Sequence, residues 1–511
     1  MPGSSDAERM RNRTFDKPLR LICFISYIGL SKSHDWSTFD INDGQWAQVI
    51  EKDVCIVGGG SSGVHAAVSL LDMNRTLAII ERNDRLGGHC ETWTDPSSGL
   101  PVDYGVVIHQ PLQAVYAFFK KFNIPLLNMS SVSWNEPGDP ANASLPAVCY
   151  NSIREDVDFR DGSSVDRGVD LGVDDAFSRL GSILSNYLYL LQGYDLPDPV
   201  PEDLIIPFGA FLEKHNLTAV IPTYYQFSQG MGNLLDIPTI YAVKYFNLGD
   251  LQALSQGYLT AADGDTSKLY RKAGDYVGPP NIFLQSTIVS TRRQNTTSGN
   301  LELLISTKGE GLRLLSCKKA LLTIHPTLMN LGGWDLSAEE YAVFSQYVNA
   351  NGYWTGLVTD VGLSSTTTYW NAAAATPFQI PVLPGMYALT PVGVVDNVWE
   401  VKFGSNTVDL SGDLVQEYIQ AQIRTLRYVN NVTSAKEPSF LAFSSHTPFQ
   451  LQVTPEAIRD GFFRNLTALQ GGFGGRMFYS GAAFHTPYSA LLWRFNQEVV
   501  LPLMMQQTGR H

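Results

Sequence analysis

Six consecutive residues, Gly58-Gly59-Gly60-Ser61-Ser62-Gly63, place glycine at the first, third and sixth positions of a short polar break. Before them stands the apolar run Asp53-Val54-Cys55-Ile56-Val57, and after them Val64 to Leu71 has helical spacing, with Ala66 and Ala67 on its inner face. Between a strand and a helix, this spacing suits the pyrophosphate of a dinucleotide. Gly58 allows the tight turn, Gly60 lets backbone approach the phosphates, and Gly63 lets helix and strand pack closely. Amides at the helix start, Ser62 among them, point unpaired N–H groups and the positive end of the dipole at the anion. Glu81 ends the next apolar run, Leu77 to Ile80, about twenty residues on, where an acid bonds ribose hydroxyls. A carboxylate there repels a 2′-phosphate, which leaves an unphosphorylated adenosine, as in FAD or NAD.

The next segment bears on that choice. Arg82-Asn83-Asp84-Arg85-Leu86-Gly87-Gly88-His89-Cys90-Glu91-Thr92 resembles the R-x-G-G-R-x-x-[S/T] segment of the flavin amine-oxidoreductase superfamily. Val102-Asp103-Tyr104-Gly105 resembles the D-x-G that follows in those enzymes, and Phe478-Tyr479-Ser480-Gly481-Ala482-Ala483 resembles their closing [YF]-x-[AS]-G-[EDA]-A turn. The resemblance implies non-covalent FAD, since no cysteine follows Cys317 to form a thioether. It implies cofactor contacts at Arg82, at the amides of Gly87 and Gly88, at His89 where the pattern has Arg, at Val289 near adenine, and at Gly481 and Ala482. Ala482 stands where the pattern often has an acid. Asp236-Ile237-Pro238-Thr239, Val243-Lys244-Tyr245-Phe246 and Leu492-Trp493-Arg494-Phe495-Asn496 are similar to the β-cyclopiazonate dehydrogenase-like branch, and bacterial flavin double-bond isomerases also look similar. That branch implies dehydrogenation or oxidative ring closure of an apolar secondary metabolite, by hydride transfer to flavin N5. A double-bond isomerase and an amine oxidase are the alternatives within the superfamily. A non-catalytic binding protein like the Rab GDP-dissociation inhibitors is the alternative outside it. No second G-x-G-x-x-G occurs, so the sequence offers no fold for a nicotinamide donor.

These residues need an α/β frame built in pieces. At 511 residues the chain suits two or three domains. We expect a leader over 1–50, FAD-binding parts of a discontinuous Rossmann-like domain over 51–127, 281–332 and 470–511, and an interleaved α+β substrate domain over 128–280 and 333–469. The 281–332 part reads as a β-meander: Ile282 to Val289, Leu301 to Thr307, Leu312 to Leu315, then Ala320 to Ile324. A strand over Met477 to Ser480 and a helix from about Ser489 close the chain.

Other residues leave alternatives open. His485, after the closing turn, is either a base during hydride abstraction or a structural histidine at the last helix. His325 has the same ambiguity. Tyr224, Tyr225, Phe227, Tyr241, Tyr245, Phe246, Tyr353 and Trp354 are either plain core or the wall of an apolar substrate cavity. Cys55 reads as a small apolar strand residue, and the five cysteines show no metal-ligand spacing, so no metal is expected. A net charge of −13 without a basic run excludes nucleic acid as a partner. Leu19 to Leu30 is too short for roughly 30 Å of hydrocarbon, so no integral span is expected. It reads as a signal h-region or as an amphipathic leader or core strand. With N-x-S/T sequons at Asn12, Asn74, Asn128, Asn142, Asn216, Asn295, Asn431 and Asn465, the expectation is the secretory pathway, with a cytoplasmic location as the alternative. Oligomeric state is not legible.

Overall fold

The computed structural model describes residues 49–132, 145–168, 172–294, 299–349, 351–433 and 436–506. The 19–30 segment and the sequons at Asn12, Asn142 and Asn295 lie outside the described residues. Asn74, Asn216, Asn431 and Asn465 are exposed. No helix among the described residues is long and apolar enough to cross a membrane.

β1 (Val49–Val57), α1 (Ser61–Asp72) and β2 (Leu77–Ile80) follow one another as a βαβ unit. β1 has parallel neighbours on both edges: Cys55 stands opposite Ala78 of β2 and opposite Ala320 of the strand Gly311–Leu322. A strand so placed is covered on both faces, which accounts for the unbroken apolar run Val54 to Val57, none more than 4% exposed. Ile282–Phe283 extends the sheet beyond β2, while Leu301–Thr307 and Ser286–Arg292 extend the other side as antiparallel strands. Met477–Tyr479 pairs in parallel with Ala320–Leu322, so the end of the chain joins the sheet its beginning founded.

Two expectations change here. The pair of strands predicted over Leu312–Leu315 and Ala320–Ile324 is one strand, Gly311–Leu322. Gly311 to Cys317 pair with Leu301–Thr307 and Leu314 to Leu322 pair with β1, the two ladders overlapping at Leu314 to Cys317. Ladder hydrogen bonds therefore carry the backbone through Ser316-Cys317-Lys318-Lys319, whatever their polarity. Cys55 is bonded to Cys317 rather than being only a small apolar residue; 262 positions separate them, and the crossover brings their strands together. Cys90 and Cys149 are buried free thiols.

A second, six-stranded sheet runs Ser439–Ser445, Gly352–Thr359, Val398–Ser405, Gly385–Pro391, Thr367–Asn371, Ile153–Val157 in spatial order. Only the last pair is parallel. Along these strands alternate residues part company. Trp354, Val401, Phe403, Leu389 and Tyr369 pack with Val415, Ile419, Ile423 and Leu426, the apolar stripe of the helix Gly412–Val429. The residues between them, including Trp370, Thr390 and Lys402, face the opposite way into a cavity.

Candidate active site

The two glycine segments close on one another above the first sheet. The Gly87 N–H donates to the Gly59 carbonyl at 2.9 Å, and a Cβ on Gly88 would come within 3.0 Å of Gly60 Cα. Gly63 faces away from that contact: a Cβ there would stand 1.9 Å from the Gly58 oxygen, so only glycine permits α1 to lie this close to β1. α1 begins at Gly60 with no side-chain cap and no acid in its first turn, which leaves its end electrostatically open to an anion. Glu81, only 6% exposed, is fixed by two backbone donors, Gly59 N–H to Oε2 at 2.7 Å and Asn83 N–H to Oε1 at 2.8 Å. The serines of the motif bind the far end of the chain. Ser61 Oγ accepts from Trp493 Nε1 at 2.9 Å, and Ser62 Oγ is 2.8 Å from Ser480 Oγ, which donates to Asn496.

One cavity of about 1560 Å³ brings together Gly58, Gly60, Ser62, Glu81, Arg82, Gly87, Gly88, His89, Gly481 and Ala482. Gly63 lies behind its wall in the packing role just described. Val289 is not on the wall; Ser286, Thr287 and Ile288 are. The register of Ser286–Arg292 slips there, with Leu304 opposite Ser290 and Ile305 opposite Ile288. Val289 is thus the unpaired residue of a bulge, its carbonyl against Gly333. His485 is also elsewhere. The 3₁₀ turn Ala482–Phe484 carries it away, and its Nε2 lies 3.2 Å from the Leu191 carbonyl beside a separate void of about 20 Å³. Burial, with Lys244 nearby, holds its pKa well below the usual histidine range, and the geometry does not bring it to the other candidates.

His325 does line the cavity, where burial and then Arg82 pull its pKa down to about 4. His89 stacks on His446 with centroids 4.1 Å apart, and burial lowers its pKa to about 3. Both rings are neutral in the ordinary working range. His89 therefore brings no cation to the position where the resembled pattern has Arg. Small-molecule pockets are typically about 300–1,000 Å³. This one is larger, and its glycine-lined end, with an uncapped helix start and an acid at ribose distance along the motif, fits FAD with room for a second molecule. Among the described residues no cluster of three metal-ligating side chains occurs.

Part of the cavity wall is aromatic, and it begins beside His89, where Phe449 stacks at 6.1 Å. Phe227, Tyr245, Phe246 and Tyr353 line it, whereas Tyr224, Tyr225, Tyr241 and Trp354 do not and are packed in the core. Sequence reasoning missed Tyr258, Phe449 and Tyr488, which complete this wall, and Asp250 between them. Asn247 and Asp250 form a capping box at the start of the helix Leu248–Gln256, and that spacing was the available signal. Arg154, Glu400 and Lys402 give the mouth on the second sheet a polar rim, with Lys402 3.2 Å from Glu400.

Residues 56–122 match the family described as an NAD(P)-binding Rossmann-like domain. Over 89% of its length the chain is 34% identical to the FAD-dependent oxidoreductase oblC of Cochliobolus heterostrophus, covering 92% of that protein. It is 31% identical to the beta-cyclopiazonate dehydrogenase of Aspergillus oryzae, covering 88% of this chain and 92% of that one. Among solved structures, the CLA-producing fatty acid isomerase from P. acnes superposes with a TM-score of 0.68 at 17% identity, covering 88% of this chain and 98% of its own. Putrescine oxidase superposes with a TM-score of 0.59 at 14% identity, covering 90% and 100%. At such identities the solved structures speak to the fold.

Proposed function

The chain belongs to the family of FAD-dependent oxidoreductases that these fungal relatives represent, and from that premise we propose that it oxidises an apolar secondary metabolite, polycyclic or isoprenoid, by dehydrogenation or oxidative ring closure. The observation that carries this reading is that one cavity holds both the glycine-lined cofactor wall and the aromatic wall. FAD, when bound, supplies the two-electron acceptor. The chain's own part is to hold a substrate C–H at about 3–3.5 Å in a place from which water is excluded. Glu81, the amides at the start of α1 and the Gly87–Gly88 turn would hold the cofactor, and Tyr245, Tyr353, Phe449 and Tyr488 would press the substrate against it. The name of the Aspergillus oryzae relative, a dehydrogenase, supports this reaction class.

The test is the direction of electron flow. Under strict anaerobiosis a panel of apolar polycyclic and isoprenoid compounds, β-cyclopiazonate included, is offered to the holoenzyme. A substrate should bleach the flavin and give about one equivalent of product per flavin, and oxygen should restart turnover. NADPH should not reduce the flavin at a useful rate, because the chain has one dinucleotide fingerprint. Sustained anaerobic turnover without an acceptor would replace this reading with an isomerase, and rapid reduction by NADPH would replace it with a monooxygenase.

A further inference from the structure

Asp250 stands in the aromatic wall of the cavity and is 2% exposed. As the third residue of the helix Leu248–Gln256 it uses Oδ2 for the capping box, accepting the Asn247 N–H at 2.8 Å. Oδ1 does something a cap does not require. It accepts from two phenols that also line the cavity, Tyr258 at 3.2 Å and Tyr488 at 3.3 Å. Tyr488 immediately precedes the helix Ser489–Phe495, so it links Asp250 to the closing segment that carries Gly481 and Ala482 to the cofactor wall. Among the described residues, Tyr224 and Tyr245 from neighbouring helices also act on the carboxylate, with Gln110 and Asn247, and none of these is a cation. Burial in these surroundings pushes its pKa up to about 7 against the pull of its donors, which suits proton transfer near neutrality.

We propose that Asp250 is the proton acceptor of the oxidation, reached directly or through the Tyr488 hydroxyl. The inference rests on the function proposed above. Oxidising a carbon that bears an O–H or N–H breaks two bonds. The C–H electron pair leaves with its hydrogen as hydride to FAD, the family's two-electron acceptor. The electron pair of the O–H or N–H bond becomes the new π bond to carbon, and its proton goes to Asp250 Oδ1, which becomes a neutral acid. Where Tyr488 intervenes, its hydroxyl hands its own proton to Asp250 as it takes the substrate's.

The experiment compares wild type with Asp250→Asn, whose amide oxygen can still accept the Asn247 N–H. The probes are the panel compound that bleaches the wild-type flavin and 1-benzyl-1,4-dihydronicotinamide, which gives up a hydride without losing a proton. With the first, Asp250→Asn should slow anaerobic bleaching by about 10²–10⁴-fold and flatten its pH profile. With the second, both proteins should bleach equally, and their FAD content should match. A wild-type rate and profile in the variant overturns the proposal, and so does equal loss with both probes, which marks a structural residue. Should Asp250→Asn not fold, the double variant Tyr258→Phe/Tyr488→Phe decides. A base acts ionised, so the wild-type rate rises with pH through the carboxyl pKa. Removing two donors to the charged form must move that inflection upward, and an unmoved inflection overturns the proposal. If no panel compound bleaches the wild type, the oxidation reading itself has failed. Infrared titration of substrate-free holoenzyme from about pH 5 to about pH 8 then judges Asp250 separately. A carboxyl C=O band that fades near neutrality supports it when Asp250→Asn, or the double variant by a shift, alters that band; no such band overturns it.

Discussion

An ionised carboxylate offers about four lone-pair positions, and Glu81 spends two of them on the amides of Gly59 and Asn83. Glu81 lines the cavity, where its remaining acceptor positions would be available to vicinal ribose hydroxyls. Glu81→Gln keeps an acceptor for the glycine loop but loses the charge, so FAD binding should weaken by on the order of 1.5–3 kcal/mol while the protein stays folded. Titration of apoprotein with FAD checks this, and unchanged affinity would remove Glu81 from the ribose site. The place of Glu81 on the cavity wall was legible because it depends on spacing along one βαβ unit. The cluster of Asp250, Tyr258 and Tyr488 was not: a capping-box spacing marks Asp250 on its own helix, but 238 positions separate it from Tyr488 and only the tertiary fold joins them. Val289 lies at a one-residue bulge and off the cavity wall, and nothing in the alternation of Ser286–Arg292 announces where a bulge falls.

At the scale of elements, the fingerprint glycines separate into two physical tasks. A Cβ on Gly60 would meet nothing nearer than Gly88 Cα at 3.8 Å, whereas one on Gly63 would overlap the Gly58 oxygen and crowd Thr323 Oγ1 at 3.0 Å. Gly60→Ala should therefore fold with a wild-type melting profile yet load little FAD, because its methyl occupies the phosphate approach. Gly63→Ala should push α1 off β1 and destabilise the protein by on the order of 3 kcal/mol, the upper end of overpacking costs. Thermal melts and flavin content of the two purified variants read this out, and equal melting temperatures would refute the division. Several elements of the frame around these glycines were readable from local pattern: β2, Leu301–Thr307 and the helix start at Ser489 fall where periodicity places them. The second sheet was not. Its strands place polar cavity residues such as Glu400 and Lys402 between core residues Trp399, Val401 and Phe403, and no nearby turn motif fixes their register.

At the scale of the molecule, the helix Ser489–Phe495 is locked onto α1. Trp493, near the carboxyl terminus, donates to Ser61 at the first turn of α1. It also stacks on His109 at 5.3 Å and His65 at 6.1 Å, with Phe118 edge-on at 5.0 Å. His109 is fully buried, neither ring nitrogen has a hydrogen-bond partner among the described residues, and burial lowers its pKa from 6.5 to about 4. The unfolded chain leaves this ring in water, where it takes a proton at about pH 6.5; the folded protein refuses that proton until about pH 4. Between those values the unfolded state binds more protons, so this residue's contribution to stability is lost as pH falls through the window. Other groups titrate there too, among them Asp250 with the opposite sign, so the melting temperature alone cannot isolate His109. His109→Phe keeps an aromatic ring against Trp493 and cannot titrate; any packing penalty it introduces is the same at every pH. The difference in Tm, wild type minus His109→Phe, should be constant above about pH 7.5 and fall steadily from about pH 6.5 towards about pH 4. A difference that stays flat across that interval would mean that the ring is protonated, or reached by water, inside the folded protein, and that the layer around Trp493 is not the sealed one that its contacts describe.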